Sequence, residues 1–247
     1  MSSKKGKNYY LRKKPKLMNL FEKHFNHAQK VMKKYFNESK IEELIAQIRI
    51  DSEALIPQIP YIGGVKNPFT FMLIGSVATL AIFRALEKAG LTYREIGEFS
   101  YELYERINES KRRKLESANK NPGDANFEDA HVEFLQEFEK ESQLKKYPGD
   151  WVMEFVDGEG EPFDYGLNFS GCGIHKFYKE LGYEKYMPFI CLSDFAEAQI
   201  NGFGFTRTQT LGNGAPMCDH RYIKGGSTPR AWPPDNVQEF DKSLLKY

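Results

Sequence analysis

The chain has 247 residues, of which 40 % are hydrophobic and 14 % aromatic, so it can bury a substantial core within one large domain. Its 35 Lys and Arg balance 34 Asp and Glu, and this near-neutral charge leads us to expect no nucleic-acid partner. Three cysteines are too few for a disulfide framework, and the charged N-terminal segment lacks the apolar stretch of a signal peptide. We therefore expect a cytoplasmic protein whose thiols are reduced.

The first 56 residues divide into a basic start and two predicted helices. Residues 1–17 carry seven basic and no acidic side chains, which is typical of a flexible solvated tail. Between residues 18 and 56 apolar side chains recur at helical spacing. A break at residues 37–39 separates two helices, and Ser39 is the predicted N-cap of the second.

Two further helices are predicted after a connector rich in Pro and Gly. The helix over residues 68–88 is strongly apolar and ends at Gly90. Because its apolar run is shorter than the ~20 residues that cross a bilayer, we expect a buried helix and no membrane span. Thr92, with Glu95 three residues later, predicts a capping box at the start of a helix over 92–108.

The middle of the chain is more polar. Residues 109–126 are hydrophilic and poorly periodic, which indicates a surface excursion or lid. A short helix over residues 127–138 is predicted to follow, because apolar residues there return to helical spacing.

The chain changes character after residue 147. Residues 148–226 predict a hairpin, two helices and a second hairpin that turns at 212–216. Residues 227–247 form an irregular tail. We therefore predict one α+β domain over residues 18–247, in which the mainly helical region 18–147 packs on a C-terminal α+β unit with antiparallel hairpins.

The three cysteines lie on three different predicted elements of the C-terminal unit. Cys172 and His175 are three residues apart, so they share one face if that segment is helical. With Cys191 and Cys218 they could complete a zinc site of three thiolates and one imidazole. Cys191 and Asp194 form another pair at the same spacing. The alternative is that the thiols are buried and inert, because free cysteine often packs as a small hydrophobe.

A nucleophilic thiol is the second hypothesis. Alternation along a strand places His220 on the same face as Cys218, while Asp219 lies on the other face. His220 could therefore activate the thiol as a base, although a strand histidine can equally serve as a structural hydrogen-bonding group. Backbone N–H groups of Gly212 and Gly214 could hold an anion, or these glycines could simply form the turn.

Three segments together suggest a family: "DYGLNFSGCGIHKFYKELG", "MPFICLSDF" and "GFGFTRTQTLGNGAPMCDHRY". Each contributes one cysteine, and the stretch from Ile56 to Gly226 resembles the L-2-amino-thiazoline-4-carboxylic acid hydrolase family. The sequence departs from the family where Gly171 replaces a frequent Glu and His220 replaces the usual Phe. The hairpins and cysteines also resemble, more distantly, ligand-binding domains of the 4-vinyl reductase type.

The resemblance implies a hydrolase that cleaves a C–N bond of a cyclic amidine or amide, such as 2-amino-thiazoline-4-carboxylate, which opens to N-carbamoyl-cysteine. The leading hypothesis requires no cofactor and uses a cysteine nucleophile for a small-molecule substrate. The expected site residues are Cys218 or Cys172 as nucleophile, Cys191 beside them, Asp194, Asp219 and His220 for proton transfer, and Arg207 with Thr208, Gly212 and Gly214 for substrate binding.

Two alternatives remain at this point. One is a zinc-dependent hydrolase that uses Cys172, His175, Cys191 and Cys218 as ligands and activates water on the metal. The other is a non-enzymatic sensor or binding domain with a structural zinc. A homo-oligomer is a further expectation.

Overall fold

The computed structural model describes residues 9–246. Its N-terminal half is helical, and an antiparallel sheet follows in the C-terminal half, which confirms the predicted α+β class. The helices are α1 (Lys14–Met32), α2 (Glu38–Leu55), α3 (Thr70–Lys88), α4 (Tyr93–Ser117), α5 (Asp129–Gln143), α6 (Gly173–Glu180), α7 (Met187–Cys191) and α8 (Ser193–Asn201). The strands are β1 (Val152–Asp157), β2 (Tyr165–Gly171), β3 (Gly204–Thr206) and β4 (Cys218–Ile223).

The N-terminal segment corrects two predictions. The predicted tail, residues 1–17, is helical from residue 9 onward, while residues 1–8 lie outside the described part of the chain. Tyr10 and Leu17 are buried, so they extend the apolar face of α1 and bind the segment to the core. The N-cap of α2 is Asn37 rather than Ser39, because the Asn37 side chain accepts a hydrogen bond of 2.9 Å from the backbone N–H of Lys40.

Helix α3 forms the centre of the helical half. It is long and apolar enough to cross a membrane by length and composition alone, but 72 % of its most apolar window is buried inside the protein. Helices α1 and α2 pack on it, as does α6 from the C-terminal half. The predicted end at Gly90 is confirmed, since this residue adopts a φ of 95° that other residues rarely reach.

Helix α4 is longer than the sequence predicts. Its capping box is confirmed, because the Glu95 side chain accepts from the backbone N–H of Thr92 at 2.7 Å and the Thr92 hydroxyl accepts from that of Glu95. The helix continues through Ser117 instead of ending near residue 108, so the first half of the predicted excursion is helical. Its residues from 109 onward are mostly exposed, which explains why they lack apolar periodicity.

The sheet contains both predicted hairpins. Its strand order is β1-β2-β4-β3, with every neighbouring pair antiparallel. The second of the two helices predicted between the hairpins is divided into α7 and α8 at Leu192. Helix α5 packs on β1, and α8 packs on both α4 and β3. The sheet thus has one face turned toward helices, and the candidate site lies on that face.

The irregular C-terminal tail is attached to the core. Trp232 and Phe240 are buried, and both pack on the ring of Phe189 in α7, at centroid distances of 6.0 and 6.3 Å. Trp232 also lies so close to Gly97 of α4 that a Cβ at residue 97 would come within 2.5 Å of its ring. The tail therefore packs on α4 and α7.

This packing predicts opposite effects for two glycine-to-alanine substitutions in long helices. Gly97→Ala should lower the free energy of unfolding by about 1–3 kcal/mol, because its methyl group overpacks against Trp232 and Phe189. Gly75→Ala in α3 is the matched control and should stabilise the protein by up to about 1 kcal/mol, since its methyl group would meet His24 only at 3.6 Å. Urea denaturation measures both, and equal effects would contradict this account of the tail.

Candidate functional site

A cavity of about 250 Å³ lies between the helix-facing side of the sheet and helices α5, α7 and α8. Most of its lining is aromatic or aliphatic, and its polar groups converge near α8 and β4. The lining residues that bear on the chemistry are Cys172, Cys191, Asp194, Glu197, Arg207, Cys218, His220 and Tyr222. A small, mostly apolar cavity with a few converging polar groups is typical of a ligand site.

Strand alternation places the sheet residues in this cavity. On β4, Cys218, His220 and Tyr222 are two residues apart and face it together. They lie opposite Phe169, Leu167 and Tyr165 of β2, respectively. The rings of Tyr165 and Tyr222 stack at a centroid distance of 4.7 Å. The prediction that His220 shares a face with Cys218 is confirmed.

Arg207, just beyond β3, is the most extensively bonded side chain of the site. Its Nη1 donates to Asp194 Oδ2 at 2.8 Å, and its Nε donates to Glu239 Oε1 at 2.9 Å. Nη2 donates to the carbonyl oxygen of Cys191 at 2.9 Å and also lies 2.9 Å from Glu239 Oε1. The remaining Nη1 contact is the ring Nε2 of His220, at 3.4 Å. Four of the five N–H groups of the guanidinium therefore make hydrogen bonds, and the fifth, on Nη2, lies close to Glu239 Oε1 within the ion pair.

This bonding corrects the role predicted for Arg207. Its side chain is 1 % exposed and already pairs with two carboxylates, so it is not available to clamp the carboxylate of a substrate. Arg207 instead fixes α8, β4 and the C-terminal tail to one another. It is a positioning residue.

Asp194 is the carboxyl group of this cluster that reaches the cavity. Burial raises the pKa of Asp194 to about 6, and the neighbouring Arg207 guanidinium partly opposes that rise. The Arg207 contact uses Oδ2, and 27 % of the Asp194 side chain stays exposed. A carboxyl group that titrates just below neutral pH is suited to proton transfer.

His220 is a neutral side chain with both ring nitrogens engaged. Burial, together with the positive charges of Arg207 and Arg221, lowers the pKa of His220 well below its usual range. Because a guanidinium only donates, Nε2 accepts from Arg207, and the proton lies on Nδ1, 3.3 Å from Tyr222 Oη. His220 therefore connects Arg207 to Tyr222. This corrects its predicted role as the base for Cys218.

Two of the thiols are joined through Thr210. The Thr210 hydroxyl oxygen lies 3.4 Å from Cys191 Sγ and 3.3 Å from Cys218 Sγ. Cys218 Sγ also accepts from the backbone N–H of Leu211 at 3.3 Å. Burial is the main cause that raises the pKa of both thiols, to about 12 for Cys191. Both thiols are thus protonated near neutral pH.

Cys172 lies at the N-terminus of α6. Its sulfur accepts from the backbone N–H of His175 at 3.5 Å, and the N–H of Ile174 also stabilises its charged form. Burial nevertheless raises the pKa of Cys172 to about 12. Cys172 and Cys218 both line the cavity, but Cys172 is only half-buried, whereas Cys218 is 7 % exposed. Cys191 is equally half-buried, but the N–H donors at the sulfur of Cys172 come from the backbone at a helix start, which suits a thiolate.

Four predicted site residues lie in the loop before β4 or bind that loop, and none of them lines the cavity. Asp219 accepts from the backbone N–H groups of Thr208 and Gln209, at 2.9 and 2.8 Å, on the face of β4 opposite Cys218. The N–H of Gly212 donates to Thr210 and that of Gly214 to Leu211.

These contacts assign Thr208, Asp219, Gly212 and Gly214 to the folding of the loop. None of the four lines the cavity, so their predicted catalytic and substrate-binding roles are corrected. Gly212 is required for packing, because a Cβ there would lie 2.6 Å from Cys191 Sγ.

The predicted zinc ligands do not assemble. The imidazole of His175 pairs with Glu184, Nε2 to Oε1 at 2.6 Å, and is not among the residues that line the cavity. Across residues 9–246, no group of three or more His, Cys, Asp and Glu is placed to hold a metal ion. The set Cys172, His175, Cys191 and Cys218 therefore does not fit zinc, which binds four such ligands in a tetrahedron.

Three residues of the site were missed by the sequence analysis. Glu197 lies three residues after Asp194, and this helical spacing could have indicated it. Tyr222 follows His220 by two residues on the same strand, so alternation could also have indicated it. Glu239 gave no signal, because it lies in the irregular tail and reaches Arg207 only through the tertiary fold.

The buried cluster predicts a large difference between two Arg-to-Met substitutions. Arg207→Met should lower the free energy of unfolding at pH 7 by about 3–5 kcal/mol, because Asp194 and Glu239 lose the cation that compensates their charges. Arg49→Met, which breaks the exposed pair with Glu22, should cost at most about 1 kcal/mol. Denaturant midpoints measure both, and a small effect at Arg207 would contradict this account of the cluster.

Comparison with known proteins identifies the family of this chain. Searches of curated proteins and of solved structures returned no match. Residues 72–222 match the family model described as L-2-amino-thiazoline-4-carboxylic acid hydrolase. This match spans more than half of the chain and includes every residue listed above for the chemistry of the cavity. The chain therefore belongs to the L-2-amino-thiazoline-4-carboxylic acid hydrolase family.

Proposed function

We propose that this protein hydrolyses a small cyclic amidine or amide, and that a cysteine thiolate attacks the amidine or amide carbon. The observation that carries the proposal is the convergence of three thiols and Asp194 on one cavity in a chain of this family. Hydrolysis through a covalent adduct needs a nucleophile, a group that moves protons, and a cavity that limits access of water. The thiols and Asp194 that line this cavity are the candidates for the first two.

Cys172 is the proposed nucleophile. Two backbone N–H groups at the start of α6 face its sulfur, and they favour the thiolate as it forms. Cys218 and Cys191 both contact Thr210, and we assign them to the shape of the cavity wall. Because burial keeps the pKa of Cys172 high, a base must remove its proton during the attack.

Asp194 is the proposed base. Its raised pKa, about 6, leaves it ionised near neutral pH yet able to accept a proton. In the first step the Cys172 sulfur bonds to the amidine carbon, a ring bond of that carbon breaks, and Asp194 returns the proton to the leaving atom. Water then adds to the same carbon and the cysteine leaves as a thiol, so the reaction consumes one water molecule.

The ring decides which bond breaks. In a cyclic amide, or in an amidine whose ring contains only carbon and nitrogen, the leaving atom is nitrogen. Such a reaction is the C–N hydrolysis predicted from the sequence. In 2-amino-thiazoline-4-carboxylate the amidine carbon also bears the ring sulfur. Opening this ring to N-carbamoyl-cysteine breaks the C–S bond and releases a thiol, whereas C–N cleavage gives the isomeric S-carbamoyl product with a free amine.

Single substitutions of the three cysteines test the nucleophile. Cys172→Ser should fold normally and lose more than about a thousandfold in kcat/KM toward a cyclic amidine, because the hydroxyl is a weaker nucleophile. Cys191→Ser and Cys218→Ser should retain most activity, and they serve as matched controls. Mass spectrometry of the quenched wild-type protein should detect the adduct on Cys172, and a thiol reagent should distinguish the two product isomers.

Full activity of Cys172→Ser would remove Cys172 from this role. Absence of turnover with any cyclic amidine or amide, combined with tight ligand binding, would instead favour the non-enzymatic binding domain.

Asp194 predicts an acid limb in the pH profile. Because the base must be ionised, kcat/KM should rise with pH through a value near 6 and then level off. Asp194→Asn should remove this limb and lower the plateau by about a hundredfold or more. Glu137→Gln, a change to an exposed carboxyl group of α5 outside the cavity, should leave the profile unchanged. An unchanged acid limb in Asp194→Asn would assign the titration to another group.

A further inference from the structure

The lining of the cavity contains more acidic than basic side chains. Asp194 and Glu197 lie three residues apart on α8 and both line it. Among the described residues that line the cavity, Arg207 alone has a permanent positive charge, and its side chain is 1 % exposed and paired with Asp194 and Glu239. The cluster of Arg207, Asp194 and Glu239 thus contains one guanidinium and two carboxyl groups.

The two histidines of the lining do not offset this charge. Burial lowers the pKa of His131 below its usual range, and it lowers that of His220 further. Both rings are therefore uncharged at neutral pH. The carboxyl group of Glu197, by contrast, makes no hydrogen bond or ion pair with any residue between 9 and 246. The cavity consequently presents an unpaired carboxylate and a partly paired one, with no free cation for a ligand anion.

The remaining wall is aromatic. Phe69 and Trp151 stack at a centroid distance of 4.8 Å, with their planes 19° apart, at the end of the cavity that includes Met72. Met72 is 50 % exposed, so this end opens to solvent. Near Glu197 the wall is formed by the stacked Tyr165 and Tyr222. Aromatic faces attract organic cations, and apolar walls favour a ligand with a hydrophobic body.

We infer that the ligand of this cavity is an organic cation, an amidinium that carries an aryl or branched alkyl group and no carboxylate, held by Asp194 and Glu197. The inference rests on the proposed function, since this ligand is the amidine substrate of the same site. A ligand carboxylate would be desolvated beside Asp194 and Glu197 with no free cation to pair with, which is costly. The substrate in the family's name has such a carboxylate, and this chain is built for a different member of the amidine class.

Three compounds test the inference on the wild-type protein. They are 2-amino-4-phenyl-2-thiazoline, which is a cation with an aryl group, 2-amino-2-thiazoline-4-carboxylate, and 2-methyl-4-phenyl-2-thiazoline, a far weaker base that stays neutral. Calorimetry at pH 7.5 measures binding, and turnover is followed separately. The phenyl amidine should bind at least about tenfold more tightly than either of the other two, since it alone combines the charge with the apolar body.

Glu197→Gln should weaken binding of the phenyl amidine by about ten- to a hundredfold and leave the neutral compound unaffected, because only a charged ligand loses a charge-assisted hydrogen bond. Glu137→Gln removes a carboxylate from outside the cavity and should change neither affinity. Equal weakening of the charged and neutral ligands in Glu197→Gln would overturn the assignment of Glu197 to charge recognition.

The outcomes separate this inference from the proposed function. Tighter binding of 2-amino-2-thiazoline-4-carboxylate, or no binding of the phenyl amidine, overturns the inference even if the carboxylate compound is hydrolysed. Tight binding of the phenyl amidine without turnover supports the inference and counts against the hydrolase.

Discussion

The buried Arg207 is the interaction on which the rest of the site depends. It bonds at once to Asp194 of α8, to the backbone at the end of α7, to His220 of β4 and to Glu239 of the tail. Removing a guanidinium from water is costly, so such an arrangement persists only when every N–H group has a partner. Four separate parts of the chain are thereby held in one geometry, and the ion cluster gives the cavity its fixed polar end.

The same cluster sets the protonation states around the cavity. Burial, together with the positive charge of Arg207, keeps the His220 ring neutral, and Arg207 stabilises Asp194 as an anion against the effect of burial. The thiols, by contrast, lie in apolar surroundings that favour their protonated forms. The overall charge of the chain is nearly balanced, but the cavity is locally acidic and has no free cation among its described lining residues. This local excess of acidic groups is the basis of the inferred preference for a cationic ligand.

Much of the fold could be predicted because it is encoded locally. The capping box at Thr92, the helix stop at Gly90 and the alternation in the two hairpins are short-range features, and the structure contains all three. The errors came where tertiary contacts override local composition. Residues 9–17 pack on the core because Tyr10 and Leu17 are buried, and α4 continues past Asn108 although its outer residues are solvated.

The sequence by itself determined the fold class, the family and the shared strand face of Cys218 and His220, because strand alternation and motif spacing are properties of the chain. Only the tertiary structure decided what the polar residues do. Arg207 has its donors consumed by Asp194 and Glu239, which lie 13 positions before it and 32 after it in sequence, so no local pattern could show that it is unavailable to a ligand. Hydrogen-bond partners and burial are set by packing between distant segments, and these decide the charge and accessibility of each group.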